Sequence, residues 1–97
     1  MTRPTPPTGL NTVATGSNEI VGWWTASSDN WGVYGYWINR REAGTQDPPT
    51  KFGTNQTWFV HDDVEPGTSY EYWVEAIDLC PRLSDPSAVQ IVTTPSP

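Results

Sequence analysis

The chain has 97 residues and a mass of 10.8 kDa, enough for a single domain with one modest core. Eleven Asp and Glu against five Lys and Arg give a net charge of −6, and only Arg40 and Arg41 adjoin. No basic stripe is therefore available for nucleic-acid phosphates or an anionic membrane surface. Six Trp, four Tyr and two Phe beside ten Pro and eight Gly argue against both disorder and a helical bundle. No apolar run reaches the ~18 residues that a membrane-spanning helix needs. From mass alone, such a chain exposes roughly 5,500 Å² when folded against about 15,700 Å² unfolded, so packing must carry the fold. The lone Cys80 cannot close an internal disulfide.

In chain order, residues 1–7 read as a proline-rich arm, 8–94 as the folded domain and 95–97 as a tail. Both ends favour extended, polyproline-type backbone suited to joining a module to a neighbour. The amino terminus has no apolar stretch of the kind that directs secretion. Such a chain is either not exported by that route or belongs to a longer secreted protein. Between the ends, strand-like runs recur: Leu10–Thr15, Glu19–Ala26, Val33–Arg40, Thr57–Val60, Ser69–Ile77 and Ala88–Thr93. Turn-forming residues separate them, and Ala43–Asn55 reads as one long connection. Short strands at this spacing predict an all-β sandwich, with no sign of helical periodicity.

Alternation sets the faces. In Ser69–Ile77, Tyr70, Tyr72, Val74 and Ala76 share a core face, leaving Glu71, Trp73 and Glu75 outside. In Val33–Arg40, Tyr36 and Ile38 point inward and Trp37 points out with Gly35 and Asn39. Glu19–Ala26 admits two registers, one burying Ile20, Gly22 and Trp24 and the other Val21 and Trp23.

Three segments carry a family resemblance. They are Trp24 through Tyr36, the run Val64-Glu-Pro-Gly-Thr-Ser-Tyr-Glu-Tyr-Trp-Val-Glu-Ala-Ile-Asp (64–78), and the closing Val-Thr-Thr-Pro (92–95). Together they resemble a fibronectin type III domain over nearly the whole chain, in the style of bacterial secreted enzymes and phage virion proteins. The resemblance implies a seven-stranded immunoglobulin-like β-sandwich. It implies a buried Trp on the second strand, which selects the register burying Trp24. It also implies a tyrosine corner at Tyr70, whose hydroxyl bonds back to the Val64–Thr68 turn. Gly22 departs from the pattern, standing where a bulky apolar residue is usual, so either a neighbouring ring fills the space or the strand is irregular there. No Arg-Gly-Asp occurs, so integrin binding is not implied.

On that register Trp24 belongs to the core, Trp31 to a loop, and Trp23, Trp58, Trp37 and Trp73 to outer faces. The fold implies two cross-strand pairs, Trp37 with Trp73 on one sheet and Trp23 with Trp58 on the other. Such rings serve as protein-interface anchors, as platforms for polysaccharide, or as extra packing against Ala43–Asn55 and the proline tails.

Chemistry is weakly supported. His61-Asp62-Asp63 combines an imidazole with carboxylates but sits at a strand end, where a solvated turn is the simpler reading. Glu71 and Glu75 flank Trp73 on an open face rather than in a cleft. One His, one Cys and no Asp-x-Asp-x-Asp-Gly loop give no metal site, and no cofactor is implied. Asn55-Gln-Thr is a glycosylation triplet with meaning only in a eukaryotic secretory route.

The sequence therefore describes a non-catalytic module working through its surface. The first reading is a phage virion accessory protein, a capsid decoration or tail component that binds protein on the particle surface. The alternative is a spacer or carbohydrate-binding module of a secreted bacterial glycoside hydrolase or adhesin, and so extracellular.

Overall fold

Alternating polarity becomes seven strands in the computed structural model, which describes residues 4–27, 33–78 and 83–96. They are β1 (Thr8–Gly16), β2 (Glu19–Thr25), β3 (Val33–Glu42), β4 (Thr50–Thr54), β5 (Trp58–His61), β6 (Ser69–Asp78) and β7 (Gln90–Thr93). Antiparallel pairing builds a three-stranded sheet, β1-β2-β5, and a four-stranded sheet, β4-β3-β6-β7. The two pack face to face as a sandwich. The accessible surface is 5493 Å², the area expected for a fully collapsed chain of this mass. Trp31, Cys80 and the loop at 29–32 lie outside the described residues.

β4 lies inside the segment read from sequence as a connection. Lys51-Phe52-Gly53 is too short to show alternation, and the strand exists because Ile38 on β3 sits opposite Phe52. The last strand is shorter than expected. Before Gln90 its pairing is taken over by two serines: Ser84 Oγ accepts from Ala76 N (2.8 Å) and Ser87 Oγ from Val74 N (2.9 Å). Both hydroxyls are buried, so they satisfy β6 amides where regular pairing has stopped. Of the proline arm, Pro4 and Pro7 are buried.

The core is a file of rings. Trp24 meets Tyr36 edge-on (centroids 5.3 Å, 70°), and Phe59 stacks on Tyr72 (5.0 Å, 23°). Ile20, Ile38, Val74, Ala76, Tyr72 and Val92 fill the space around them. β2 adopts the register that buries Ile20, Gly22 and Trp24. Gly22 lies opposite Phe59, and a Cβ added there would come within 2.2 Å of Phe59 Cε2. A neighbouring ring thus occupies the missing side chain's volume. Tyr70 makes the tyrosine corner, its hydroxyl accepting from Glu65 N at 2.8 Å.

The strand directions separate the two ends of the domain. β1 starts beside Thr25, at the end where Ser27 N donates to the Tyr36 hydroxyl (2.9 Å). β7 finishes with Thr93 beside Ser69, at the end where β3 terminates opposite Tyr70. The domain body measures 47 × 25 × 18 Å overall. Its backbone enters at one end of the sandwich and leaves at the other.

Candidate functional site

The outer face of the three-stranded sheet is apolar. Trp23 pairs directly with Trp58, and one row along Val21 lies between Val13 and Val60. Trp23, Trp58 and Val60 are each about half exposed, at 47%, 55% and 50%, and Val13 is also exposed. Five apolar side chains therefore form one continuous patch. Sequence parity around Trp23 and Trp58 could have identified the three valines, but only once the register of three strands was known.

The outer face of the four-stranded sheet is different. Trp37 and Trp73 sit on adjacent strands, but the expected direct pair does not form. Trp37 faces Glu75, and Trp73 faces Asn39. The core fixes this register by setting Ile38 opposite Val74 and Tyr36 opposite Ala76. The two indoles are left as diagonal neighbours, roughly 7–8 Å apart at the backbone. Both are half-buried rather than fully outward. Trp37 lies across β4, where a Cβ on Gly53 would stand 3.4 Å from Trp37 Cζ3. The Arg41 guanidinium covers Trp73 at 5.2 Å and also pairs with Glu71 (3.2 Å). Between the rings, Asn39 is fully buried. Its Nδ2 donates to Glu75 Oε1 (3.0 Å), and its Oδ1 accepts from Lys51 Nζ (2.7 Å).

Among the described residues, two hollows open on this sheet. One is lined by Trp73, Arg41, Pro86 and Val89. The larger, about 330 Å³, is walled by Tyr34 and Trp37, floored by Gly35 and Gly53, and edged by Thr54 and Asn55. Neither glycine can be replaced freely, since a Cβ on Gly35 would stand 2.8 Å from the Thr54 carbonyl oxygen. A bulge between Val33 and Gly35 turns Tyr34 outward. Sequence parity gives no warning of that residue, because the bulge breaks it.

His61 corrects the expectation of a solvated turn. β5 runs one residue beyond the expected strand, and parity with Phe59 carries His61 inward, where it is buried. Its Nδ1 lies 2.9 Å from the Tyr72 hydroxyl and 3.2 Å from Arg40 Nη1. A guanidinium only donates, so Nδ1 is an acceptor and the ring is neutral. Burial first, and the Arg40 charge second, push the imidazole down to about 4. Burial likewise raises Tyr72 to about 12. Arg40 in turn grips Asp63 through two hydrogen bonds (2.7 and 3.0 Å), which hold that carboxyl below its ordinary value. The cluster closes one end of the core, and neither hollow described above includes any of its residues. Asp62 and Asp63 remain exposed.

No protein-family profile matches the chain. Among solved structures, it superposes on the Fn3-like protein from Clostridium thermocellum with a TM-score of 0.77 and 28% identity, covering 99% of this chain and 98% of that one. The FN5 domain of Drosophila Lar gives a TM-score of 0.79 and 26% identity over 97% and 99%. The chain is a fibronectin type III domain. Among curated proteins, the domain is 39% identical to a stretch of exoglucanase B from Cellulomonas fimi, over 96% of this chain and 8% of that protein. It is 32% identical to a stretch of amylopullulanase from Thermoanaerobacterium thermosulfurigenes, over 92% of this chain and 5% of that protein. The curated relatives it matches are far longer, the domain spanning 3–8% of their length. It is a non-catalytic module.

Proposed function

We propose that this fibronectin type III domain is an accessory module of a larger, secreted polysaccharide-degrading enzyme. It spaces that enzyme's other parts and brings aromatic surface to the substrate. The observation that carries the reading is its similarity to short stretches of exoglucanase and amylopullulanase chains. Strand polarity supports the spacer role, since a backbone that enters at one end and leaves at the other sets its neighbours in series. The virion reading receives no support from these relatives. The test is deletion of the domain from its full-length enzyme. Activity on insoluble polysaccharide should fall while activity on a soluble oligosaccharide is retained; equal activity on both substrates would refute the role.

A second contact is favoured by the apolar patch of Val13, Val21, Trp23, Trp58 and Val60. Apart from the two indole N–H groups and Asn11 at its edge this face is apolar, which suits a neighbouring domain of the same polypeptide as its occupant. Trp23→Ala with Trp58→Ala should loosen the two domains relative to one another, seen as a larger radius of gyration by small-angle scattering. An unchanged profile refutes this contact.

A further inference from the structure

We infer that the hollow walled by Tyr34 and Trp37 on the four-stranded sheet binds one or two hexopyranose units of a neutral polysaccharide. This rests on the accessory-module reading and gives it a specific site and ligand class. Four features carry it. First, size: about 330 Å³ is at the lower end of the range for ligand pockets, roughly 300–1,000 Å³, which suits one or two sugar rings.

Second, wall chemistry. A pyranose presents a face of C–H bonds that packs against an aromatic ring, and here an indole and a phenol stand together. Tyr34 is 67% exposed, held out by the bulge, with nothing in the core requiring it there. Trp37 is seated across Gly53, so its position is fixed before any ligand arrives. Third, the floor. Gly35 and Gly53 lie diagonally on β3 and β4, and their missing side chains make room for the Thr54 carbonyl and the Trp37 ring, which sets that ring as one wall of the hollow. Fourth, polarity. Among the described residues none that lines the hollow is charged, and the net charge of −6 disfavours polyuronates. Asn55 supplies the polar rim: its Oδ1 accepts from Gln56 Nε2 (3.1 Å), leaving the Nδ2 donors for sugar hydroxyls.

The face of the other sheet differs: its rings stand among valines, and the Asn11 amide beside Trp23 already donates to the Gly9 carbonyl. Trp73 is also a poorer platform, because Arg41 already covers its ring.

The experiment is a ¹⁵N-HSQC titration of the domain with cellohexaose, maltohexaose and a charged control, hexagalacturonate. The expected result is that one neutral oligosaccharide shifts the amides of Tyr34, Trp37, Gly53 and Asn55. Trp37→Ala should weaken that binding at least about tenfold and Asn55→Ala by a smaller factor, whereas Trp23→Ala and Trp58→Ala leave it unchanged. Asn55 is exposed and outside the core, so its variant keeps the test valid if Trp37→Ala folds poorly. Binding that survives both Trp37→Ala and Asn55→Ala but is lost in Trp23→Ala overturns the site and leaves the accessory role standing. Tighter binding of hexagalacturonate overturns the ligand class. No shift with either neutral oligosaccharide at millimolar concentration overturns the inference, whereas the deletion experiment judges the accessory role by itself.

Discussion

Lowering the pH from 7.5 to 4.5 should destabilise the domain through His61. In the folded state the imidazole releases its proton at about 4, against 6.5 when unfolded. Between those values the unfolded chain binds the proton and the folded one does not, so stability falls as pH falls. The contribution is fully present above pH 6.5 and is lost progressively down to pH 4. The interval of about 2.5 pH units at ~1.4 kcal/mol per unit bounds the loss at about 3.5 kcal/mol, of which about 2.5 kcal/mol falls above pH 4.5. That is a large share of the roughly 5–15 kcal/mol by which a domain is stable. The physical origin is local. A proton on Nδ1 would reverse its hydrogen bond with the Tyr72 hydroxyl and set an N–H and a charge against the Arg40 donor 3.2 Å away, with the exposed Asp62 and Asp63 compensating only in part. Urea unfolding followed by tryptophan fluorescence, from pH 7.5 to 4.5, measures the slope. His61→Gln keeps an acceptor but cannot titrate, so its stability should be nearly flat over this window even if lower throughout. A slope in His61→Gln equal to that of the parent protein would refute the argument. Below pH 3.8, both proteins should lose stability further as Asp63 is protonated and releases Arg40, since its folded value is depressed.

Gly22→Ala drives a methyl group to 2.2 Å from a Phe59 ring that is stacked on Tyr72, so a loss of about 3 kcal/mol is expected, at the top of the range for overpacking. Adding Phe59→Leu should recover part of it, and the two changes measured separately and together in urea will show the coupling. Trp24→Ala removes a buried ring and should cost about 3–5 kcal/mol. Trp37→Ala and Trp73→Ala, being half-buried, should cost less; equal losses at all three positions would mean that the outer rings are structural. Tyr70→Phe leaves Glu65 N without its hydroxyl acceptor and should cost about 1 kcal/mol by thermal unfolding, with the fold intact.

Which parts of this domain were legible in its sequence follows from how far each feature depends on distant residues. The alternation of Tyr70, Tyr72, Val74 and Ala76 is a property of one strand, and the structure buries all four. The choice between the two registers of β2 is not. It depends on Phe59, thirty-seven positions from Gly22, filling the glycine's place from the next strand. β4 was hidden for the same reason, since Thr50–Thr54 is a strand only because β3 is there to pair with it. His61 was legible in principle: extending the Trp58–Phe59 alternation by two residues turns it inward, and the charged residues that follow obscured this.

The outer faces are the hardest case, because their composition is set by the core. Ile38 meets Val74 inside, so Trp37 must meet Glu75 outside, and two indoles that look paired in sequence end up diagonal. That displacement determines the surface chemistry. A direct pair would have produced an apolar ridge like that of Trp23 and Trp58. The offset instead places Asn39, Lys51 and Glu75 between the rings and leaves each ring beside its own hollow. The bulge at Tyr34 then adds a second aromatic wall to one of them. Two sheets with similar aromatic content thereby acquire different chemistry, one face an apolar patch and the other rings set among polar groups and hollows, through a register that neither outer face controls.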